Sequence, residues 1–145
     1  MTASEPEACP CGSGRAYERC CGPLHAGGAA ETAQQLMRSR FSAFARGLDA
    51  YLLASWHPST RPATLELDEG VQWRRLQIVD AVAGAAGDAE GVVEFRASYR
   101  DPDGAAGLLH ERSRFVRDSA GPLGGRTSHG LWRSLVAHLT GGQVS

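Results

Sequence analysis

Apolar residues recur at spacings of three and four positions between residues 33 and 48, which is the period of a helix with one buried face. These positions are Ala33, Leu36, Met37, Phe41, Phe44 and Leu48. Thr32 precedes the stretch and offers a side-chain cap, whereas Gly47 breaks the pattern at its other end. Three basic residues are predicted to form the solvated side of this helix: Arg38, Arg40 and Arg46.

A second, short helix is predicted from Asp49 to Trp56. His57 and Pro58 end it, because the residue before a proline avoids the helical conformation. Upstream, the glycine-rich residues 22–28 are typical of a linker.

From residue 71 the hydrophobic period changes to two, which is typical of β-strands. The first strand begins around Trp73 and alternates Leu76, Ile78 and Val82. The second places Val93, Phe95, Ala97 and Tyr99 on one face and Glu94 and Arg96 on the other. The third runs from Leu108 to Val116, and turn signals separate the strands at residues 84–91 and 101–104. Helices followed by an antiparallel meander predict an α+β domain with the helices packed on one face of a curved sheet.

Composition limits what this domain can do. The chain has 145 residues, enough for one ordinary domain and a small appendage, and its net charge of −1 creates no strong field for nucleic acid or anionic membrane. Neither lysine nor asparagine occurs, so Schiff-base and phosphate-loop lysines are excluded. Without a signal sequence or a membrane-spanning stretch, the protein is expected to be cytoplasmic.

The four cysteines of the chain lie within a stretch of 13 residues, at Cys9, Cys11, Cys20 and Cys21. Two such pairs can surround one Zn²⁺ tetrahedrally, with glycines 12 and 14 allowing the chain to wrap around the ion. A disulfide within either pair, Cys9 with Cys11 or Cys20 with Cys21, would be strained, and a crossed pairing needs an oxidising compartment. Zinc is therefore the preferred interpretation, with disulfide or redox chemistry and free thiols as the alternatives.

Residues 9–22, CPCGSGRAYERCCG, resemble the SEC-C motif, a zinc-binding module found at the C-terminal tail of the SecA translocation ATPase. The resemblance implies that the four cysteines are the ligands of a structural Zn²⁺, although SecA tails usually end in Cys-His, and His25 is a weaker candidate for the fourth position. In SecA the module is associated with an export chaperone, phospholipid and the ribosome. Arg15 and Arg19 lie inside the loop, where they are expected to offset the charge of the thiolates.

A longer resemblance covers residues 9–117. The segments that carry it are CCGPLHAG at 20–27, LMRSRFSAF at 36–44, YLL at 51–53 with WHPSTRP at 56–62, and LHERSRF at 109–115. They are similar to the uncharacterised bacterial YchJ-like family, which joins a SEC-C motif to a cone-shaped domain resembling nuclear transport factor 2. This division implies a zinc knuckle at residues 1–26, a cone-shaped domain at 27–117 and a divergent tail at 118–145.

The tail departs from the family, whose members usually close the domain with another, aromatic-rich strand. Here residues 118–125 are typical of a loop, and Ser128 to Leu139 are predicted to form an amphipathic helix. The tail is either a genuine variation or the product of a shifted reading frame. Without a closing strand, the third strand is predicted to have an exposed edge.

Cones of this type often enclose a pocket. Its possible lining residues here are Trp56, Trp73, Phe95, Tyr99, His110, Glu111 and Arg114. Alternation along a strand places His110 and Glu111 on opposite faces, so the two do not form a simple dyad, and no residue is assigned as catalytic.

The sequence thus favours a zinc-stabilised adaptor that binds a protein partner through its zinc module, and the prediction leans away from an enzyme. The alternative is a small-molecule binder or enzyme that uses the conical pocket. Binding to RNA or ribosomes rests on analogy with other zinc knuckles, and it would require arginines clustered on one face.

Overall fold

The structure, a computed structural model, describes residues 7–67, 70–118 and 131–135. Its helical elements are a 3₁₀ turn at Tyr17–Arg19, α1 at Gly22–His25, α2 at Ala33–Arg46 and α3 at Asp49–Ala54. Its strands are β1 at Gln72–Ala83, β2 at Glu90–Arg100, β3 at Ala106–Asp118 and β4 at Leu131–Ser134. They form one antiparallel sheet in the order β1-β2-β3-β4, and α2 contacts β1, β2 and β4. The predicted α+β architecture is confirmed.

Helix α2 begins and ends where its sequence predicts. The Thr32 hydroxyl accepts a hydrogen bond from the Gln35 amide at 3.0 Å, and Gly47 ends the helix with a φ of 73° in the left-handed region. Phe44 and Leu48 of the predicted apolar face are partly buried against a second core around Leu52 and Trp56, whereas the other positions are buried in a core shared with the sheet. Its members from α2 are Ala33, Leu36, Met37 and Phe41.

Arg40 does not belong to the solvated side of α2, as the sequence pattern predicted, because it is only 4% exposed. Its guanidinium lies 5.0 Å from the centre of the Trp56 ring and donates hydrogen bonds to the Leu52 carbonyl and the Ser55 hydroxyl. A planar cation can be buried where its donors find carbonyl and hydroxyl partners and an aromatic face. Arg40 therefore joins α2 to α3 instead of facing water.

The strands alternate as predicted, with one exception in β1. Val82 was expected to share a face with Leu76 and Ile78, but it is 47% exposed. The register between β1 and β2 shifts between Ile78 and Asp80, and such a bulge moves every later side chain to the opposite face. Val82 consequently pairs with Val92 on the outer face of the sheet.

The helix predicted from Ser128 to Leu139 is wrong where the structure describes it. Residues 131–134 form β4, which pairs with residues 115–118 of β3, and the rest of that prediction lies outside the described residues. Backbone hydrogen bonds also join Ser134 to Ser55 and His57, and Trp132 is 3% exposed. The prediction of an exposed edge is therefore also wrong for this end of β3, because β4 covers it.

Candidate metal centre

The four cysteine sulfurs form one compact cluster, and all of them lie within 4.8 Å of one another. The Sγ atoms of Cys11 and Cys20 are 3.6 Å apart, and those of Cys20 and Cys21 are 4.0 Å apart. Four sulfurs at about 2.3 Å from a tetrahedral Zn²⁺ would be separated by roughly 3.8 Å. Disulfide sulfurs would be separated by about 2.05 Å, whereas all four of these cysteines are free. The spacing fits a metal site better than a disulfide.

The chain closes around this cluster in two tight turns. Gly12 and Gly14 have φ values of 80° and 86°, as the wrapping of the loop requires. The Gly12 amide donates to the Cys9 carbonyl at 3.1 Å, and the Cys9 amide donates to the Arg15 carbonyl at 3.0 Å. These bonds hold the first cysteine pair in place without any metal contact.

Hydrogen bonding within the cluster and burial shift the pKa values of these thiols in different directions. A hydrogen bond from the Cys21 thiol lowers the pKa of Cys11. The same hydrogen bond keeps the proton on Cys21 and, together with burial, raises the pKa of Cys21. Burial also raises the pKa of Cys20. Four neighbouring thiolates repel one another, and a divalent cation is what allows all of them to ionise together. The donor set therefore fits a thiophilic metal ion such as Zn²⁺, bound by four protein ligands.

Helix α2 contributes polar groups to this cluster, which the sequence analysis missed. The Ser42 hydroxyl lies 3.4 Å from the Cys9 sulfur and donates to the Cys21 sulfur at 3.3 Å. Arg38, one turn earlier, donates to the Cys11 carbonyl at 3.0 Å. In the sequence, Arg38 and Ser42 are two polar residues four positions apart beside the apolar face of the helix. The sequence does not show which segment of the chain they contact.

His25, the weaker candidate for a ligand, is engaged elsewhere. Its Nε2 donates to the Ser39 carbonyl at 2.8 Å, so its Nδ1 accepts from the Tyr17 hydroxyl. Tyr17 in turn carries the Arg46 guanidinium 3.9 Å above its ring. Tyr17 and His25 thus connect the cysteine loop to α2.

Arg15 and Arg19 are exposed. Whether they offset the charge of the thiolates stays a prediction. Glu18 is exposed beside them, so the solvent-facing side of the loop carries charged residues.

The seven residues predicted to line a pocket are only partly brought together. Trp56 is 0% exposed in a small core with Leu52 and Leu65, while Phe95 belongs to the main core. Trp73 packs between the α2 phenylalanines and Tyr99, with ring centres 5.3 Å apart for Trp73 and Tyr99. Aromatic side chains thus fill much of the space between α2 and the sheet.

The polar members of that set lie on the two faces of β3. His110 is exposed and bonded to Glu94 at 2.6 Å, Arg114 is exposed, and Glu111 is half-buried on the opposite face. A groove of about 350 Å³ lies elsewhere, between α1, α3 and β4. Leu24, Tyr51 and Trp132 contribute to its lining, and none of the predicted pocket residues does.

Arginines do share the outer face of the sheet, but acidic residues lie among them. Strand pairing aligns Glu94 with Arg112 and places Asp80 opposite Glu94. Arg112 bonds to Asp80 at 3.3 Å and to Glu94 at 2.9 Å, and hydrogen bonds from His110 and Arg112 lower the pKa of Glu94. This mixture does not resemble an uninterrupted basic surface for nucleic acid. Within the described residues, no helix is long and apolar enough to cross a membrane.

Comparisons with known proteins match two segments of the chain to family models. Residues 6–23 match the family model described as the SEC-C motif, and residues 32–121 match the YchJ middle domain, which is described as NTF2-like. The chain resembles a UPF0225 protein of Streptomyces coelicolor at 54% identity over 110 residues, covering 75% of this chain and 85% of that protein. A UPF0225 protein of Xanthomonas campestris is 51% identical over 121 residues, covering 81% of this chain and 92% of the relative.

Solved structures show the same fold. A SEC-C motif containing protein from Psychrobacter arcticus superposes with a TM-score of 0.72 at 27% identity, covering 90% of this chain and 81% of that one. A SEC-C motif containing protein from Rhodopseudomonas palustris gives 0.69 at 30% identity, covering 88% and 94%. The chain therefore belongs to the UPF0225 family of YchJ-like proteins, in which a SEC-C motif precedes an NTF2-like domain.

Proposed function

We propose that this protein is a cytoplasmic adaptor stabilised by one structural Zn²⁺. The observation that carries the proposal is the cluster of four cysteine sulfurs within 4.8 Å of one another. Four protein ligands fill a tetrahedral sphere and leave no position for a reactive water, so such an ion supports structure instead of catalysis. Free thiols that serve as metal ligands also fit a reducing compartment.

The surface offered to a partner is the outward side of the cysteine loop. It carries Arg15, Glu18 and Arg19, all of which are exposed. On its buried side the loop is anchored to α2 by hydrogen bonds from Arg38 and Ser42. The exposed side chains therefore project from a backbone that is fixed to the rest of the protein. A rigid charged surface favours a protein partner whose charges complement it.

Metal analysis tests the first half of the proposal. Protein purified from reducing cells should contain about one zinc per chain. The double variant C20S/C21S should lose the metal, whereas His25→Gln should keep it, because His25 bonds to Tyr17 and Ser39 instead of the cluster. A metal content that is unchanged in C20S/C21S would overturn the assignment of ligands.

Charge reversal tests the second half. The variant R15E/R19E changes the loop, and R96E/R114E makes the same change of net charge on the outer face of the sheet, where both arginines are exposed. Complexes should be captured with the wild type and with R96E/R114E, and lost with R15E/R19E. A purified partner must then show the same loss. If R15E/R19E keeps every complex, the loop is only a structural cap.

The second function predicted from the sequence is ligand binding inside the cone. Phe95 and Phe115 are almost completely buried between α2 and the sheet, and Trp73 packs against α2 beside them. A filled interior weighs against a ligand site there. We therefore place the adaptor first, and ligand binding stays a prediction.

A further inference from the structure

Ser42 is placed where it can act on two of the metal ligands at once. Its side chain is 0% exposed, and its hydroxyl contacts the sulfurs of Cys9 and Cys21 at 3.4 and 3.3 Å. Among the described residues, these two sulfurs are its only hydrogen-bond partners. A buried hydroxyl needs a partner, and a thiolate is a better acceptor than a neutral thiol.

The second contact of α2 with the loop is through the backbone. Arg38 lies one turn before Ser42 and donates to the carbonyl of Cys11 at 3.0 Å. Residues four apart on a helix face the same direction, so one stripe of α2 touches three of the four cysteines. This stripe belongs to the NTF2-like domain, since the matching family segment begins at residue 32.

The cysteines also belong to the hydrophobic core of that domain. Cys9, Cys11 and Cys21 are each no more than 5% exposed, and they form one buried cluster with side chains of α2 and the sheet. Across the same helix, the Phe41 ring lies 6.0 Å from Trp73 of β1. A displacement of the sulfurs would thus disturb the packing of α2 directly and, through α2, the packing of the sheet.

We propose that Ser42 is a positioning residue for the metal and that α2 completes the site from outside the SEC-C motif. Its hydroxyl donates a hydrogen bond to a ligand thiolate, which orients that ligand and disperses its charge. Metal binding and the packing of α2 on the sheet then form a single cooperative equilibrium. This inference rests on the proposed zinc site.

Zinc affinity of Ser42→Ala, measured by competition with a chromophoric chelator, tests the role of the hydroxyl. Loss of a group that supports a ligand typically weakens metal binding by about 10-fold to 100-fold, and that is the expected result. Ser39→Ala is the matched control, because Ser39 is also 0% exposed on α2 but bonds to the Leu36 carbonyl and the Tyr51 hydroxyl. Ser39→Ala should bind zinc more tightly than Ser42→Ala, because the Ser39 hydroxyl makes no hydrogen bond to the sulfurs.

The cooperative part has a separate readout. Chelator is added stepwise to the zinc-loaded wild type while zinc release and the near-ultraviolet circular dichroism of the tryptophans are followed together. Both should change at the same chelator concentration, and at a lower concentration in Ser42→Ala.

The possible failures are distinguishable. Equal zinc affinities for Ser42→Ala and Ser39→Ala would overturn the positioning role while leaving the zinc site intact. Complete zinc release with an unchanged tryptophan signal would overturn the cooperative coupling. Absence of zinc from the wild type would defeat the proposed function itself.

Discussion

At the scale of single residues, Arg40 shows how a charged side chain can belong to a core. Burial lowers the pKa of Arg40 to about 10, against an ordinary value of 12.5, because water no longer solvates the cation. The hydrogen bonds to Leu52 and Ser55 and the Trp56 ring offset part of this cost. A helical period alone cannot reveal this, because arginine usually lies on the solvated face.

Arg40→Met is therefore expected to destabilise the protein by about 2 kcal/mol, since it leaves the Leu52 carbonyl and the Ser55 hydroxyl short of a donor. Arg40→Lys should also destabilise, because an ammonium cannot stack on Trp56 as a guanidinium does. Urea unfolding measures both. Arg75→Met on the exposed side of β1 is the control and should change stability by less than about 0.5 kcal/mol. If Arg40→Met unfolds at the same urea concentration as the wild type, the contacts of Arg40 make no net contribution to stability.

His25 gives stability a pH dependence. Burial lowers the pKa of His25 from its ordinary value of 6.5, with Arg46 adding a smaller effect in the same direction. The unfolded chain therefore binds a proton more readily than the folded chain, so stability is complete above about pH 6.5 and falls as pH decreases below it.

His25→Gln removes the titration while keeping polar groups beside Tyr17 and Ser39. The slope of unfolding free energy against pH, measured in the zinc-loaded protein between pH 7.5 and 5.5 (roughly the range in which histidine titrates), should be smaller in this variant than in the wild type. Protons also compete with zinc for the cysteines as the pH decreases. This effect is the same in both proteins, so it cancels when the two slopes are compared. Equal slopes would contradict the prediction.

At the scale of elements, the sequence predicted whatever local periodicity and capping determine. Thr32 and Gly47 bounded α2 because capping chemistry is local. Strand β4 was missed because a four-residue strand has too little period of its own. Its conformation depends on pairing with β3 and on backbone hydrogen bonds of Ser134, which donates to Ser55 and accepts from His57. The bulge in β1 was missed for the same reason, since a register is a property of two strands.

The two ends of α2 can be tested separately. Thr32→Ala should cost about 1 kcal/mol because the Gln35 amide loses its acceptor, and Thr32→Ser should cost much less. Gly47→Ala should cost about 1–2 kcal/mol, because a side chain is strained at a φ of 73°. Thermal and urea unfolding of the three variants supply the values. A Thr32→Ala variant as stable as the wild type would show that the cap does not contribute.

At the scale of the whole molecule, the sequence predicted the cysteines that the structure brings together, but it did not predict the groups that contact them. Four clustered cysteines indicate by themselves a site that could hold a metal ion, whereas Ser42 and Arg38 reach this cluster only through tertiary packing. The predicted pocket residues were dispersed for a related reason. Alternation assigns a side chain to a face, but whether that face is filled depends on the residues opposite.

Removing residues 1–26 should consequently damage the rest of the protein. The deletion uncovers Leu36 and Met37 of α2, which share a core with the cysteines. We expect a lower unfolding temperature and binding of a hydrophobic dye such as ANS. The full-length R15E/R19E variant is the control, since its substitutions lie on the exposed side of the loop. A truncated chain that melts like the full-length protein would show that the two parts are energetically independent.

The four cysteines differ in their exposure to solvent, and this difference sets the order in which a thiol reagent can reach them. Cys9, Cys11 and Cys21 are buried, while Cys20 is half-exposed beside the Ser13 hydroxyl. A thiol reagent or an oxidant arriving from solvent therefore meets Cys20 first. Mass spectrometry after brief alkylation should find the first label on Cys20. Modification of this one cysteine would then be the first step in the loss of the cluster.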